Sequence, residues 1–497
     1  MANEKADALR ITRRDEDYSR WYLDIVERAK LAEDSNVRGC MIIRPEGYAI
    51  WENMQLILDK MFKDTDHVNA YFPLFIPVSF FSKEAQHVSG FAKECAVVTH
   101  HRLKLDEDGQ IGVDPDAELG EPLVVRPTSE TIIWSAYRNW IQSYRDLPIL
   151  LNQWANICRW EMRTKPFLRT TEFLWQEGHT AHATPEEAEV EAKQMLGVYK
   201  TFVEQYLSIP VFAGRKTENE KFPGAEHTYT IETMTQDRRA IQVGTSHNLG
   251  TTFSKAFDVT YLAADGTRQY PFATSWGITT RLIGSLIMVH SDDKGFICPP
   301  KIAPLQVIGV PIYRKEAEKE KVISCFQQIQ KRFKELGAFS FKLDDRENLS
   351  PGFKFNDWEL KGIPLRLEIG LRDMEKNNAV LVRRDTGEKI IIPQDELESR
   401  ILELLNEIQD NLFKKAQEFQ RQHTYTISTY EEFKNSIENK PGFYIAYFDG
   451  SPDDEEKIKE ETKATSRCIP LEQEGTMGKC FYTGKSTNQQ VIFARAY

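Results

Sequence analysis

At 497 residues the chain is long enough for about three domains, and 41% hydrophobic residues are enough to build their cores. This composition excludes a disordered tail, a collagen and a disulfide scaffold. Lysine and arginine number 64 against 75 aspartates and glutamates; the net charge of −11 excludes nucleic-acid binding by bulk charge, so any such binding needs local patches.

No apolar run approaches the ~18 residues of a membrane span, and the polar stretch Met1 to Arg20 lacks the apolar centre of a signal peptide. The seven scattered cysteines read as reduced thiols. We expect an acidic, cytoplasmic, multidomain protein with no membrane attachment.

Leu123 to Val125 reads as a strand leading through Arg126-Pro-Thr-Ser-Glu130 into a helix over Thr131 to Tyr144, with Thr128 or Ser129 as its cap. Ile149 to Glu161 and Thr171 to His182 read as strands joined by a basic loop, Met162 to Thr170. A helix follows, with Thr184 as N-cap, Pro185 as first residue and Glu187 completing a capping box. Ala188, Ala192, Met195, Tyr199, Phe202 and Tyr206 mark its buried face. Ser275-Trp-Gly-Ile-Thr-Thr-Arg281 leads into an apolar helix, Leu282 to Val289. If Arg281 is buried there, it needs an anion.

Charge, glycine and three prolines make Ser291 to Pro304 a linker. Beyond it, strands (305–313, 338–343, 365–369), a helix ended by Gly337, a hairpin around Asp385-Thr-Gly387 and a helix over 395–419 make an α/β domain with a mixed sheet. Between 301 and 400, 19 basic residues face 17 acidic ones, so this part is far less acidic than the whole. A second seam falls at Gln422 to Thr429.

Alternation places Phe173, Trp175, Glu177 and His179 on one face of their strand, and Arg159 and Glu161 on one face of its partner. Acids, an imidazole, an arginine and aromatics on one face make a polar cleft with aromatic walls, suited to a planar charged ligand. The alternative is a solvated sheet face with ordinary cross-strand ion pairs.

Arg159-Trp-Glu161 with Arg169-Thr-Thr-Glu-Phe173-Leu-Trp-Gln-Glu177 resembles motif 2 of the class II aminoacyl-tRNA synthetases. Gly277-Ile-Thr-Thr-Arg281 resembles motif 3, and the helix Gly47 to Phe62 with Ala70-Tyr-Phe-Pro73-Leu resembles motif 1, the dimer motif. Each alone is weak; all three in order are specific. Class I signatures, a Walker A loop and a Rossmann glycine fingerprint are absent. Arg126-Pro-Thr-Ser-Glu130, Phe173 to His179, Thr245-Ser-His247, Gly352 to Pro364 and Phe493-Ala-Arg-Ala-Tyr497 resemble the prolyl-tRNA synthetase family, in its archaeal/eukaryotic-like form. The roughly 100 residues between Glu177 and Ser275 leave no room for the editing insertion of the other bacterial form.

The resemblance implies an α+β fold: a class II antiparallel-sheet domain at 1–296, an α/β anticodon-binding domain at 302–410 and a small α/β C-terminal domain at 425–497. It implies ligation of L-proline to tRNA(Pro) through a prolyl-adenylate made from ATP with Mg²⁺, by a homodimer. Arg159 and Arg281 would be the catalytic residues. ATP would meet Arg159, Glu161, Arg169, Thr170, Phe173, Gln242, Thr245, Thr279 and Arg281. Proline would meet Thr128, Glu130, Arg159, Trp175, Glu177, His179 and His247. The RNA would meet Lys354, Arg366, Glu368, Arg372 and Asp373, where Leu371 departs from the family's proline. Many relatives hold zinc on four C-terminal cysteines; here the matching positions are Asp449, Asp454, Cys480 and Thr483, a poor set, so no structural zinc is expected. In the family the terminal carboxylate, here that of Tyr497, reaches toward the active site. The alternatives are a synthetase of the same subclass for another small amino acid, and a lapsed synthetase-like RNA-binding protein.

Overall fold

The computed structural model describes residues 10–83, 94–473 and 475–497. Helix α1 (Tyr18–Arg28) starts on Asp17, whose side chain accepts from the Arg20 amide. Helix α2 (Pro45–Lys63) starts on a proline, where no backbone N–H is needed. It buries Ile50, Trp51, Met54, Leu58 and Phe62, one stripe at helical spacing. After the short β1 (Val68–Asn69), β2 (Phe75–Pro77) and β3 (Val97–His100) flank β4 (Glu118–Val125) in a small antiparallel sheet.

The main sheet is built from α3 (Glu130–Trp140) onward. Its strands are β5 (Ile149–Cys158), β6 (Glu172–His182), β7 (Phe212–Arg215), β8 (His227–Met234), β9 (Ala240–Gly250) and β10 (Phe272–Thr279). They lie antiparallel in the order β5-β6-β10-β9-β8-β7, with β1 parallel on the outer edge of β5. Helix α4 (Pro185–Gln205) carries the expected capping box of Thr184 and Glu187. Together with α2 and α5 (Arg281–His290) it backs one face of the sheet, where Phe62, Tyr199 and Trp276 pack ring against ring. Gly178 faces Trp276 across the β6–β10 pair; a Cβ there would lie 2.1 Å from the indole.

Several expected boundaries move, two of them for a plain local reason. The strand expected to reach Glu161 ends at Cys158, because pairing with β6 stops at Cys158–Glu172 and the Cys158 amide turns to the Arg126 carbonyl. The helix expected to reach Tyr144 ends at Trp140, because Ser143 and Asp146 form a capping box and start a turn of their own.

The Ser291 to Pro304 segment is not an exposed linker. Phe296, Ile297, Cys298, Pro300 and Ile302 are buried, because this apolar stretch packs between two cores. Beyond it come β11 (Val307–Ile312), α6 (Glu316–Leu336), β12 (Phe341–Leu343), α7 (Pro351–Leu360), β13 (Leu365–Gly370), β14 (Asn378–Arg383) and β15 (Lys389–Pro393). The sheet order is β12-β11-β13-β14-β15, parallel for the first three strands and antiparallel for the rest. Val322, Phe326 and Phe333 of α6 join Ile401, Leu404 and Ile408 of α8 (Leu397–Gln422) in its core. Gly337 ends α6 at φ 64°, a conformation glycine adopts without strain.

The second expected seam is also structured. Thr424–Thr426 is a strand, β16, because it pairs in parallel with β17 (Phe443–Tyr447). Helices α9 (Tyr430–Asn439) and α10 (Pro452–Thr462) accompany β18 (Thr465–Pro470) and β19 (Gln490–Ala494). These strands extend the main sheet: β18 pairs with β7, Gly214 opposite Pro470 and Arg215 opposite Ile469. The result is one eleven-stranded sheet, β16-β17-β19-β18-β7-β8-β9-β10-β6-β5-β1.

Candidate active site

A cleft of ≈ 610 Å³ opens on the face of the main sheet away from α4. Phe173, Trp175, Glu177 and His179 of β6 all line it, as their alternation requires. Thr245 and His247 enter from β9, Thr279 from β10, Gln242 from the start of β9 and Arg281 from the first turn of α5. Thr128 and Glu130 come from the entrance to α3; Arg159, Glu161, Arg169 and Thr170 come from the segment between β5 and β6. The residues expected to meet ATP and proline therefore converge on one cleft.

Glu177 is buried, with both oxygens bonded. Its Oε1 accepts from Ser129 Oγ at 2.5 Å and Gln153 Nε2 at 2.7 Å, and its Oε2 lies 2.8 Å from His179 Nε2. Burial opposes the charge, but the bonds from His179, Ser129 and Gln153 outweigh it and hold the carboxyl below its usual range. For His179 burial again disfavours charge, and the Glu177 bond again wins, so the imidazole titrates above its usual value. Its Nδ1 is buried and has no hydrogen-bond partner among the described residues. His247 differs: burial and the nearby His179 lower it to about 3, so it is neutral, with Nδ1 2.9 Å from Thr228 Oγ1 and its ring 4.7 Å from Phe222.

Arg159 donates from Nε to the Pro127 carbonyl at 2.9 Å, and its guanidinium sits 5.4 Å from the Trp175 ring and 5.8 Å from Phe173. Burial lowers its pKa to about 10 against the pull of Glu130 and Glu177, so it stays charged at neutral pH. Arg281 makes no ion pair among the described residues; its Nε donates to the Leu168 carbonyl at 3.3 Å. Burial, then Arg169, lowers its pKa. A guanidinium so placed is a receptor for an anion. Glu161 and Arg169 form a loose pair at 3.8 Å, and Gln242 donates to Thr245.

Sequence reasoning missed the supports. Ser129 does not cap α3 with its side chain; it donates to Glu177 instead. Gln153 lies directly opposite Glu177 in the β5–β6 register, which the strand pairing could have disclosed. Arg126 is buried and ties the Arg126-to-Glu130 turn to the carbonyls of Phe72 and Asn156, both at 2.8 Å. Lys216 and Phe222 also line the cleft. Tyr497 donates its amide to the Ala240 carbonyl at 3.1 Å, and its ring lies 5.1 Å from the Lys165 ammonium, in the loop before β6.

Of the residues expected to meet RNA, Lys354 is turned inward rather than displayed: its ammonium donates to the Asp344 carbonyl at 2.9 Å. Arg366 pairs with the buried Glu368 at 2.8 Å and lies 4.2 Å from the Phe355 ring. Asp373 accepts from the Gly370 amide at 2.8 Å, opening the short helix Leu371–Glu375, while Arg372 is exposed. In the C-terminal part, Thr483 donates to Asp449 at 3.0 Å and its amide approaches Cys480 Sγ at 3.3 Å, whereas Asp454 bonds Ser451 at the start of α10. No cluster of three metal-ligating side chains occurs among the described residues.

Three family models match in chain order: the class II tRNA synthetase core domain (G, H, P, S and T) over 113–290, an anticodon binding domain over 306–404, and the prolyl-tRNA synthetase C-terminal domain over 430–497. A relative from Porphyromonas gingivalis (strain W83) named proline–tRNA ligase is 58% identical over 488 residues, 98% of this chain and 99% of its own. Relatives of the same name from Amoebophilus asiaticus and Bacteroides fragilis are each 57% identical, over 97% and 100% of this chain and 99% and 100% of their own. With likeness of this depth along its whole length, and all three component domains in order, the chain belongs to the prolyl-tRNA synthetase family.

Proposed function

We propose that this cleft joins L-proline to ATP as prolyl-adenylate and then passes the prolyl group to the terminal adenosine of tRNA(Pro). The observation that carries the reading is Arg159, buried in the cleft over two aromatic rings and anchored on the Pro127 carbonyl, within the electrostatic pull of Glu130 and Glu177. Glu130, Thr128 and the Glu177–His179 pair receive the secondary ammonium, and Trp175 covers the ring. Arg159 spans the proline carboxylate and the α-phosphate; Phe173 stacks on adenine and Glu161 accepts from its amino group. Arg169, Thr170, Thr245, Thr279 and Arg281 surround the rest of the nucleotide, with Gln242 beside the Mg²⁺ that ATP brings.

The carboxylate attacks the α-phosphorus and pyrophosphate leaves. No proton moves in that step, so rigid cations and alignment are the catalytic resources. His179, already bonded to Glu177, and the neutral His247 orient the ligand. The segment between Glu177 and Ser275 is taken up by α4, β7, β8 and β9, which supports the form without an editing insertion. Exposed Leu56, Tyr71 and Phe75 around the motif 1 region support a homodimer. Arg372 and Asp373 form the anticodon-side surface, with Arg366 held beside them by the buried Glu368 and Lys354 behind. We place the domains at 1–296, 302–410 and 425–497, and the enzyme in the cytoplasm.

The test is proline-dependent charging of total tRNA, with ATP–pyrophosphate exchange over a panel of amino acids. Proline should support both, and Arg159→Ala should lower exchange by about 10²–10³-fold. Exchange driven by another amino acid and not by proline would overturn the reading. A pocket for a small apolar ring rejects smaller side chains weakly, so alanine at millimolar concentration should also support measurable exchange; none would show a more selective pocket than the one described.

A further inference from the structure

Lys216 stands in the cleft wall, and the carboxylate that holds it is itself held from beyond the class II core. Its ammonium donates to Glu232 Oε1 at 2.8 Å. The other oxygen accepts from Arg467, Nη2 at 2.9 Å and Nε at 3.2 Å. Thr230 adds a bond to Oε1 at 3.0 Å, so the carboxylate is spent on the protein. Glu232 lies on β8 opposite Gln242, whereas Arg467 lies on β18. All three charged groups are buried.

A second buried fastening runs beside the first. Thr217 and Ser466 both donate to Glu455 Oε2, at 2.8 Å and 2.6 Å. Strand pairing and the Glu455 bonds already join the two parts here. A buried ion triad is a costly way to add to that, since apolar replacement is commonly neutral or stabilising. Two cations face one anion in the triad, with Glu220 and Glu455 also within electrostatic reach of them. Arg281 lies within electrostatic reach of both Glu232 and Arg467.

We propose that Arg467 is a positioning residue for the ATP phosphates: through Glu232 it fixes the Lys216 ammonium in the cleft wall. The C-terminal domain is thereby part of the adenylation site. The inference rests on the cleft being the site of proline and ATP.

The test is proline-dependent ATP–pyrophosphate exchange by the full-length protein, with Arg467→Met, Arg467→Lys and Lys216→Met. Arg467→Met should raise the KM for ATP about tenfold and leave that for proline within about twofold. Arg467→Lys should recover most of the loss, and Lys216→Met should repeat the ATP-selective effect. If Arg467→Met does not fold by circular dichroism, the other two variants carry the same comparison. An unchanged KM for ATP, or equal rises for both substrates, overturns the proposal. Failure of the unmodified protein to exchange with proline would instead overturn the underlying reading.

Discussion

Glu177 is a buried carboxylate kept charged by three donors, and each donor has a different origin: the α3 entrance, the facing strand and its own strand. Glu177→Gln preserves the shape and removes the charge. It should raise the KM for proline about tenfold or more while that for ATP moves little, read by exchange kinetics. Equal effects on both substrates would refute an ammonium-binding role. His290 reports on a different property. Burial pushes it down to about 4, against the bond it donates to the Leu207 carbonyl at 2.8 Å. Unfolded, the ring titrates near 6.5, so below that pH the unfolded chain takes up a proton that the folded chain refuses. Stability is therefore present above about 6.5 and falls as the pH drops toward 4, by about 2 kcal/mol between pH 7 and pH 5 from this ring alone. His290→Gln should flatten that limb in urea titrations at the two pH values; parallel losses in both proteins would contradict it.

At the scale of elements, β6 does two jobs with its two faces. The cleft face carries chemistry, and the other lies against Trp276 so closely that only glycine fits at 178. Gly178→Ala should cost about 2–3 kcal/mol, seen as a lower melting temperature, and should weaken proline binding by tilting the strand. An unshifted melting curve would contradict this. Periodicity of two made this face readable, and the Thr184 box made α4 readable, because both signals are local. Signals that depend on distant partners were not readable. Ser129 has the right type and place for a cap, but the nearby Glu177 competes for its hydroxyl and wins. Glu232 and Arg467 are 235 positions apart, and nothing local marks either one. Arg159 and Glu161 reach the cleft although their strand has already ended, because the turn after Cys158 keeps them on the same side.

At the scale of the molecule, the segment that composition marks as a linker is a locked joint. Asp292 accepts two bonds from Arg384, at 2.8 and 2.7 Å, and Arg384 also reaches the Gly295 carbonyl at 3.1 Å. A bidentate, largely buried pair of this kind fixes orientation as well as distance. Arg384→Met should therefore leave proline-dependent exchange within about twofold and lower tRNA charging about tenfold, because the anticodon-binding domain loses its fixed angle to the cleft. Equal loss in both assays would mean that the joint supports only folding.

The eleven-stranded sheet has a consequence for how the chain is made. Strand β7 is synthesised about 250 residues before β18, the strand that covers its edge. At ribosomal speeds of about 5–20 residues per second, that edge waits on the order of 10–50 s. For that interval the nascent chain displays unpaired amides and carbonyls beside an unfinished adenylation site, and a neighbouring nascent chain can pair with them. Translation that stalls anywhere between β7 and β18 should therefore yield aggregates rather than a working fragment.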